Sequence, residues 1–237
     1  MNSSISMQSK FDKICAKIEQ KLKGKDSGIV EINFPTGELS NLKLCENIHN
    51  TFNTEIIGDN LFIKCNGGEK ERVHVKLFVS FENQNQYWWT SNNTVCTVRG
   101  NQYRPDVGVW FRSPTRPQRR MPITYACPPP NVWIEVFYNN DNDRSYAFNK
   151  INFLQQNTTG IEFVAISLSS ELSPFRPKPE TEMMVHATIQ STRPTKAPYV
   201  CHWNLNHNEI WYKIDWNQFI TLRCNLIISF DTILKEL

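Results

Sequence analysis

No window of this chain approaches the roughly 18 apolar residues that a membrane-spanning helix requires, which argues against a transmembrane segment. The opening stretch, MNSSISMQSKFDKICAKIEQ, has no apolar core of signal-peptide length, so no secretory leader is expected. Seven cysteines (15, 45, 65, 96, 127, 201 and 224) are scattered without a single CxxC pair. An odd count at irregular spacing argues against a disulfide framework and against a structural zinc site. The one local group, CHWNLNH with Cys201, His202 and His207, lacks the spacing by which zinc ligands share a face or turn. No internal repeat is visible. Together these absences lead us to expect a soluble, intracellular protein with reduced thiols, nucleus and cytoplasm being indistinguishable.

What is present is ordinary globular material. Hydrophobic residues make up 40% and aromatics 12% of 237 residues, enough to bury a substantial core in one large domain or two small ones. The net charge of +3 permits nucleic acid as a partner without arguing for it. An electrostatic footprint depends on where charge clusters, not on its sum.

Along the chain, Phe11, Ile14, Ile18 and Leu22 recur at helical spacing and predict an amphipathic helix over 9–23. GIVEINF predicts a strand, PTGE a turn, and TEIIGDNLFIKC a tight hairpin around Gly58, Asp59 and Asn60. Val73, Leu77 and Phe81, at i, i+4 and i+8, predict a helix within GEKERVHVKLFVSFENQNQY. TVCTVRGNQYRPDVGVWF reads as two strands joined at Gly100-Asn101, and the loop RSPTRPQRRMPITYACPPP, with its prolines, is expected to hold no regular structure. NVWIEVFY predicts a strand and RSYAFNKINFLQQN a helix with Ala147, Ile151 and Leu154 on one face, N-capped by Asn142 or Asp143. GIEFVAISL predicts another strand. Residues 172–237 read as further strands with Pro-rich turns and a closing helix at FDTILKEL. The expected class is mixed α/β.

Three charged residues interrupt otherwise apolar or ordered segments: Asp106, Glu135 and Lys150. A carboxylate inside a buried strand is costly unless paired, protonated or bound to metal. If their strands are neighbours, Asp106 and Glu135 converge at the sheet surface. Two hard oxygen ligands plus water suit Mg²⁺. Lys150 lies beside the helix stripe of Ala147, Ile151 and Leu154, where a cation could reach back and neutralise charge developing on a phosphate. Each residue alone has an ordinary structural reading: Asp after Pro commonly opens a turn, WIEVF does not show which face Glu135 occupies, and helix lysines are usually solvated. The case rests on the ordered set.

The block YRPDVGVWF…PPPNVWIEV…DRSYAFNK resembles the Uma-type restriction endonuclease family, a branch of the PD-(D/E)xK nuclease superfamily in which the lysine has migrated to the following helix. TEIIGDNLFI is similar to that family's opening hairpin, GIEFVAISL to the strand after the helix and LRCNLIISFDTIL to its closing segment. The resemblance implies a restriction-endonuclease-like core: a mixed central sheet flanked by helices, with extra C-terminal strands. Residues 1–50 would be a helix–strand extension and 51–237 the nuclease domain. It implies Asp106 and Glu135 as ligands of Mg²⁺ or Mn²⁺, with the Val136 carbonyl as a further oxygen, Lys150 as the migrated lysine, and Glu55 at the rim ordering water or metal. Position 137, where the wider superfamily carries its lysine, is Phe, and FYNNDND replaces the branch's usual Ser-Pro turn.

The activity so implied is metal-dependent phosphodiester hydrolysis, most naturally of DNA, with RNA left open and a homodimer as one arrangement for cutting both strands. Arg112, Arg116, Arg119 and Arg120 place four cations and no acid within nine residues, suited to backbone phosphates. A solvated basic loop is the plain alternative. Trp88, Trp89 and Tyr103 could stack on bases, or serve only as core. A nuclease fold that has lost catalysis and keeps a binding or effector role is the second reading. An interaction protein using its aromatic, Pro-rich surface is a third.

Overall fold

The computed structural model describes residues 2–25, 28–138, 141–168, 199–203, 209–213, 219–230 and 233. The chain is mixed α/β and divides into two compact units. The first comprises 1–67, 94–104 and 114–128; the second comprises 68–93, 105–113 and 129–237. Among the described residues, no helix is long and apolar enough to cross a membrane. The expected segment 172–198, His207 and most of the FDTILKEL helix lie outside the described residues.

In the first unit, helix α1 (Asn2–Leu22) buries Ile14 and Ile18, with Phe11 and Leu22 half covered, as their spacing requires. Strand β1 (Gly28–Asn33) and helix α2 (Leu42–Phe52) precede the hairpin of β2 (Thr54–Ile57) and β3 (Asn60–Cys65). The hairpin turns at Gly58, whose φ of 59° a side chain would oppose. In the second unit α3 (Gly68–Gln84) sets Val73, Leu77 and Phe81 wholly out of solvent. Burying such side chains contributes about 1.5–3 kcal/mol each. Strand β4 (Trp89–Asn92) follows α3 in that unit.

Residues 96–110 form three strands rather than two. β5 (Cys96–Val98) and β6 (Asn101–Tyr103) make a hairpin in the first unit, turning at Arg99 and Gly100. Both have positive φ, 51° and 79°, as a two-residue primed turn demands. β7 (Val107–Trp110) then joins a different sheet, after Pro105, which has no N–H for a ladder. The first unit's sheet thus runs β1-β3-β2-β6-β5, every pair antiparallel.

The Pro-rich loop does contain regular structure. Helix α4 (Arg116–Arg120) starts at a capping box, in which the Thr115 hydroxyl accepts from Gln118 N–H while Gln118 Oε1 accepts from Thr115 N–H. Pro117 sits in the first turn, where its missing N–H costs nothing. The Glu46 carboxylate, buried to 1% exposure, then takes the N–H groups of Ile123 and Thr124 at 3.0 and 2.8 Å.

The second unit's sheet continues with β8 (Val132–Tyr138), helix α5 (Asp141–Asn157), β9 (Glu162–Leu168), β10 (Tyr199–Trp203) and β11 (Glu209–Lys213), followed by the separate hairpin β12 (Phe219–Thr221) and β13 (Ile227–Ser229). Sheet order is β11-β10-β9-β8-β7-β4. The β8–β9 pair, joined through α5, is parallel and the other pairs are antiparallel, a mixed central sheet with added C-terminal strands. β8 separates two faces by alternation. Val132, Ile134 and Val136 join the cluster of Val73, Leu77 and Phe81 from α3, whereas Phe137 packs edge-on against Phe148 of α5 at 5.7 Å.

Candidate active site

Antiparallel register in the second unit pairs Val107 with Ile134, Gly108 with Trp133 and Val109 with Val132. The ladder ends there: Asp106, just before β7, donates its N–H to the Ile134 carbonyl, and Asp106 and Glu135 are both at 0% exposure. Gly108 is required here, since a Cβ would lie 2.7 Å from the Trp110 ring and 3.1 Å from Pro105.

Glu135 lies on the α5 face, the point that WIEVF alone left open. Its Oε1 accepts the Trp133 indole N–H at 2.7 Å and the Lys150 ammonium at 2.7 Å. Lys150, 3% exposed, also stands over the rings of Tyr146 and Trp133, 5.3 and 5.9 Å from their centroids. The helix following the strand therefore delivers its lysine to the carboxylate, although FYNNDND replaces the expected turn.

Asp106 is engaged from a different direction. Its N–H donates to the Ile134 carbonyl at 3.0 Å, and its Oδ2 accepts the N–H of Val136 at 2.7 Å. On the α3 side, His74 Nε2 stands 3.7 Å from the same Oδ2. Asp106, Glu135, Val136 and Lys150 thus all belong to the second unit, where the Val136 amide meets Asp106 and Lys150 meets Glu135.

Glu55 falls in the first unit, 1% exposed, and accepts Arg104 N–H at 2.6 Å. The four arginines are divided as well. All are exposed, but Arg112 belongs to the second unit while Arg116, Arg119 and Arg120 belong to the first, on and beside α4. Trp88 and Trp89 pack on Phe111 and Trp110, at 4.7 and 4.6 Å between ring centroids, and Tyr103 is 2% exposed. All three take part in packing, Trp88 and Trp89 remaining half-buried.

Several buried polar residues escaped the sequence reading. Lys70 reaches Asp143 at 3.1 Å with both side chains 2% exposed, so Asp143 lies within α5 as an ion-pair partner and not as its N-cap. His74, wholly buried, has no hydrogen bond at either ring nitrogen; Nδ1 lies 3.5 Å from Glu71 Oε2. A signal existed. Lys70 and His74 flank the Val73, Leu77, Phe81 stripe just as Lys150 flanks the stripe of α5. In the CHWNLNH segment, His202 Nε2 meets Glu162 Oε1 at 2.6 Å, and Glu162 also accepts Arg223 N–H at 3.2 Å on each oxygen.

Among the described residues, no three or more His, Cys, Asp or Glu side chains are arranged to hold a metal ion. The two carboxylates are engaged separately, Asp106 by the Val136 N–H and Glu135 by Trp133 and Lys150.

No family model matches the chain and no curated protein matches it. Among solved structures, it is similar to a candidate nuclease belonging to DUF820 from Anabaena variabilis, at 11% identity and a TM-score of 0.48, covering 77% of this chain and 89% of that one. At that level the likeness carries no statement about chemistry.

Proposed function

We propose that the protein is a divalent-metal-dependent endonuclease that hydrolyses phosphodiester bonds, with DNA as its substrate. The observation that carries the reading is the Lys150–Glu135 contact of 2.7 Å, with Asp106 buried in the same unit, three ionisable groups out of solvent. Burying them is costly and is commonly tolerated where chemistry uses them. Asp106 and Glu135 would hold Mg²⁺ or Mn²⁺, with the Val136 carbonyl as an added oxygen. Such an ion supplies Lewis acidity and lowers the pKa of water. Lys150 carries a positive charge to the point where charge develops on phosphorus-bound oxygens, and Trp133 fixes the orientation of Glu135. Glu55, buried in the first unit against the Arg104 N–H, is given no part in this reading. Arg112, Arg116, Arg119 and Arg120 contact backbone phosphates and make affinity salt-dependent.

Supercoiled plasmid incubated with the purified protein and Mg²⁺ or Mn²⁺ is expected to be nicked and linearised. Asp106→Ala and Glu135→Ala should each lower the rate on the order of 10²-fold or more. Intact plasmid under both metals, or unchanged cleavage by both variants, overturns the proposal.

A second reading has its own observation. Glu135 Oε1 is already shared by Trp133 and Lys150, and Asp106 Oδ2 already holds Val136 N–H. Carboxylates so engaged suit a nuclease fold that binds nucleic acid without cutting it. Metal-independent DNA binding with no cleavage favours this reading; nicking abolished by Lys150→Ala ends it.

A further inference from the structure

The charge of this chain is unevenly divided. The first unit carries thirteen Lys and Arg against eight Asp and Glu, and the second thirteen against fifteen. Much of the first unit's positive charge gathers on α1, a helix that has no part in the candidate active site. Lys10, Lys13, Lys17 and Lys21 recur at intervals of three, four and four residues. That spacing sets them within an arc of about 80° along one flank of the helix. Asp12 and Glu19, the acids of α1, lie about 140–160° from the middle of that arc.

A helix face that only has to be wet is built differently. It places Glu or Asp three or four residues from Lys, so that opposite charges meet across a turn. None of these four lysines has an acid at either spacing, and each has another of the four there instead. Among the described residues, no ion pair joins any of them to a carboxylate. Lys17 has a structural tie: its Nζ donates to the Asn33 carbonyl at 2.7 Å and stands 4.1 Å from the centroid of the Phe34 ring. The helix dipole favours Lys21, in the last turn, but not Lys10 or Lys13. Lys13 and Lys21 are exposed and Lys10 is half-buried, so the mutual repulsion is left unrelieved at the surface.

We propose that this lysine ridge docks the phosphate backbone of duplex DNA, without metal. The inference rests on the nucleic-acid part of the reading above and adds a place where the first unit grips the duplex. Lys10 to Lys21 spans about 16 Å at 1.5 Å per residue, the axial length of about five base pairs at 3.4 Å each. A line of point charges suits a line of phosphates, which lysine meets without a fixed geometry. A lipid surface fits less well. Ile14 and Ile18 are buried in the first unit's core and Phe11 and Leu22 pack against it, so the apolar face of α1 is already taken up.

The test is fluorescence anisotropy of a short labelled duplex titrated with the full chain over a range of salt, in EDTA so that no cleavage intervenes. Combining Lys10→Gln, Lys13→Gln and Lys21→Gln should lower affinity about tenfold or more and reduce the salt slope by about 2–3, near 0.9 per phosphate contact. Arginine at the same three positions should keep both affinity and slope. Neutralising exposed cations on other elements, Lys43→Gln with Arg223→Gln, should shift the slope far less. Unchanged affinity and slope in the glutamine variant, a loss that arginine does not restore, or an equal shift from the Lys43 and Arg223 changes overturns the inference. Metal-dependent plasmid nicking alongside any of those results leaves the endonuclease reading standing. Capture of anionic vesicles with the duplex ignored overturns the inference in favour of a lipid surface. A wild type that binds no duplex at low salt overturns both readings.

Discussion

Replacing Lys150 by Met keeps most of the side chain's length and removes its charge. Glu135 is then left at 0% exposure with its 2.7 Å ammonium contact gone and the Trp133 N–H still in place. Removing one partner of a buried ion pair costs about 3–5 kcal/mol, because the other charge stays desolvated. A domain's total stability is about 5–15 kcal/mol, so Lys150→Met should be near the limit of what the second unit tolerates at neutral pH. Glu135→Gln alone leaves the lysine buried and should also destabilise. Joining the two changes removes both charges, and the double variant should be more stable than the two single losses summed, by about 1–3 kcal/mol. Urea unfolding followed by tryptophan fluorescence gives the cycle, and Trp133 reports from inside the contact. A Lys150→Met cost below about 1 kcal/mol, with no coupling to Glu135, would refute the reasoning, since it is what an exposed, solvated pair gives.

Other perturbations have equally definite outcomes. Gly108→Ala sets a methyl 2.7 Å from the Trp110 ring and should cost about 1–3 kcal/mol in thermal or chemical melts, while the same change at Gly68, where nothing lies within 4 Å, should show no such clash. Burial, with the Arg104 charge, lowers the pKa of His49 to about 4. Its folded pKa lies below the unfolded value, so its contribution is present above about pH 6.5 and is lost as pH falls toward 4, at most about 3 kcal/mol. The stability gap between wild type and His49→Gln should narrow through that window; a gap constant with pH contradicts the assignment. Burial pushes the Cys45 thiol up to about 11, so it should resist alkylation at neutral pH in the folded protein and react once unfolded.

Much of the second unit was legible because its signals are periodic. β8 alternates, α3 and α5 carry apolar stripes, and Asp106, Glu135 and Lys150 interrupt those patterns. The faces they occupy were not legible. Glu135 could have faced either way until Phe137 and Lys150 placed α5 on its side. His74 and Lys70 went unread because single polar residues beside a stripe look solvated, and only packing shows Lys70 against Asp143 and His74 against Asp106. The passage from Tyr103 to Val107 misled for a local reason: Pro105 ends one ladder and the next strand joins another sheet. In the Pro-rich loop, Thr115 and Gln118 form a capping box that proline content obscured. The distribution of Glu55 and the four arginines over two units depends on long-range pairing, which no local pattern encodes.

The central claim is that Asp106 and Glu135 hold a divalent cation. Diffraction from crystals grown in Mn²⁺, collected at the manganese absorption edge, tests it most directly. The account predicts an anomalous peak bonded to the Asp106 carboxylate, about 2.1–2.2 Å from an oxygen, with Glu135 in its coordination sphere. Ordered Asp106 and Glu135, still holding Val136 N–H and Lys150 with no peak beside them at saturating Mn²⁺, would contradict it.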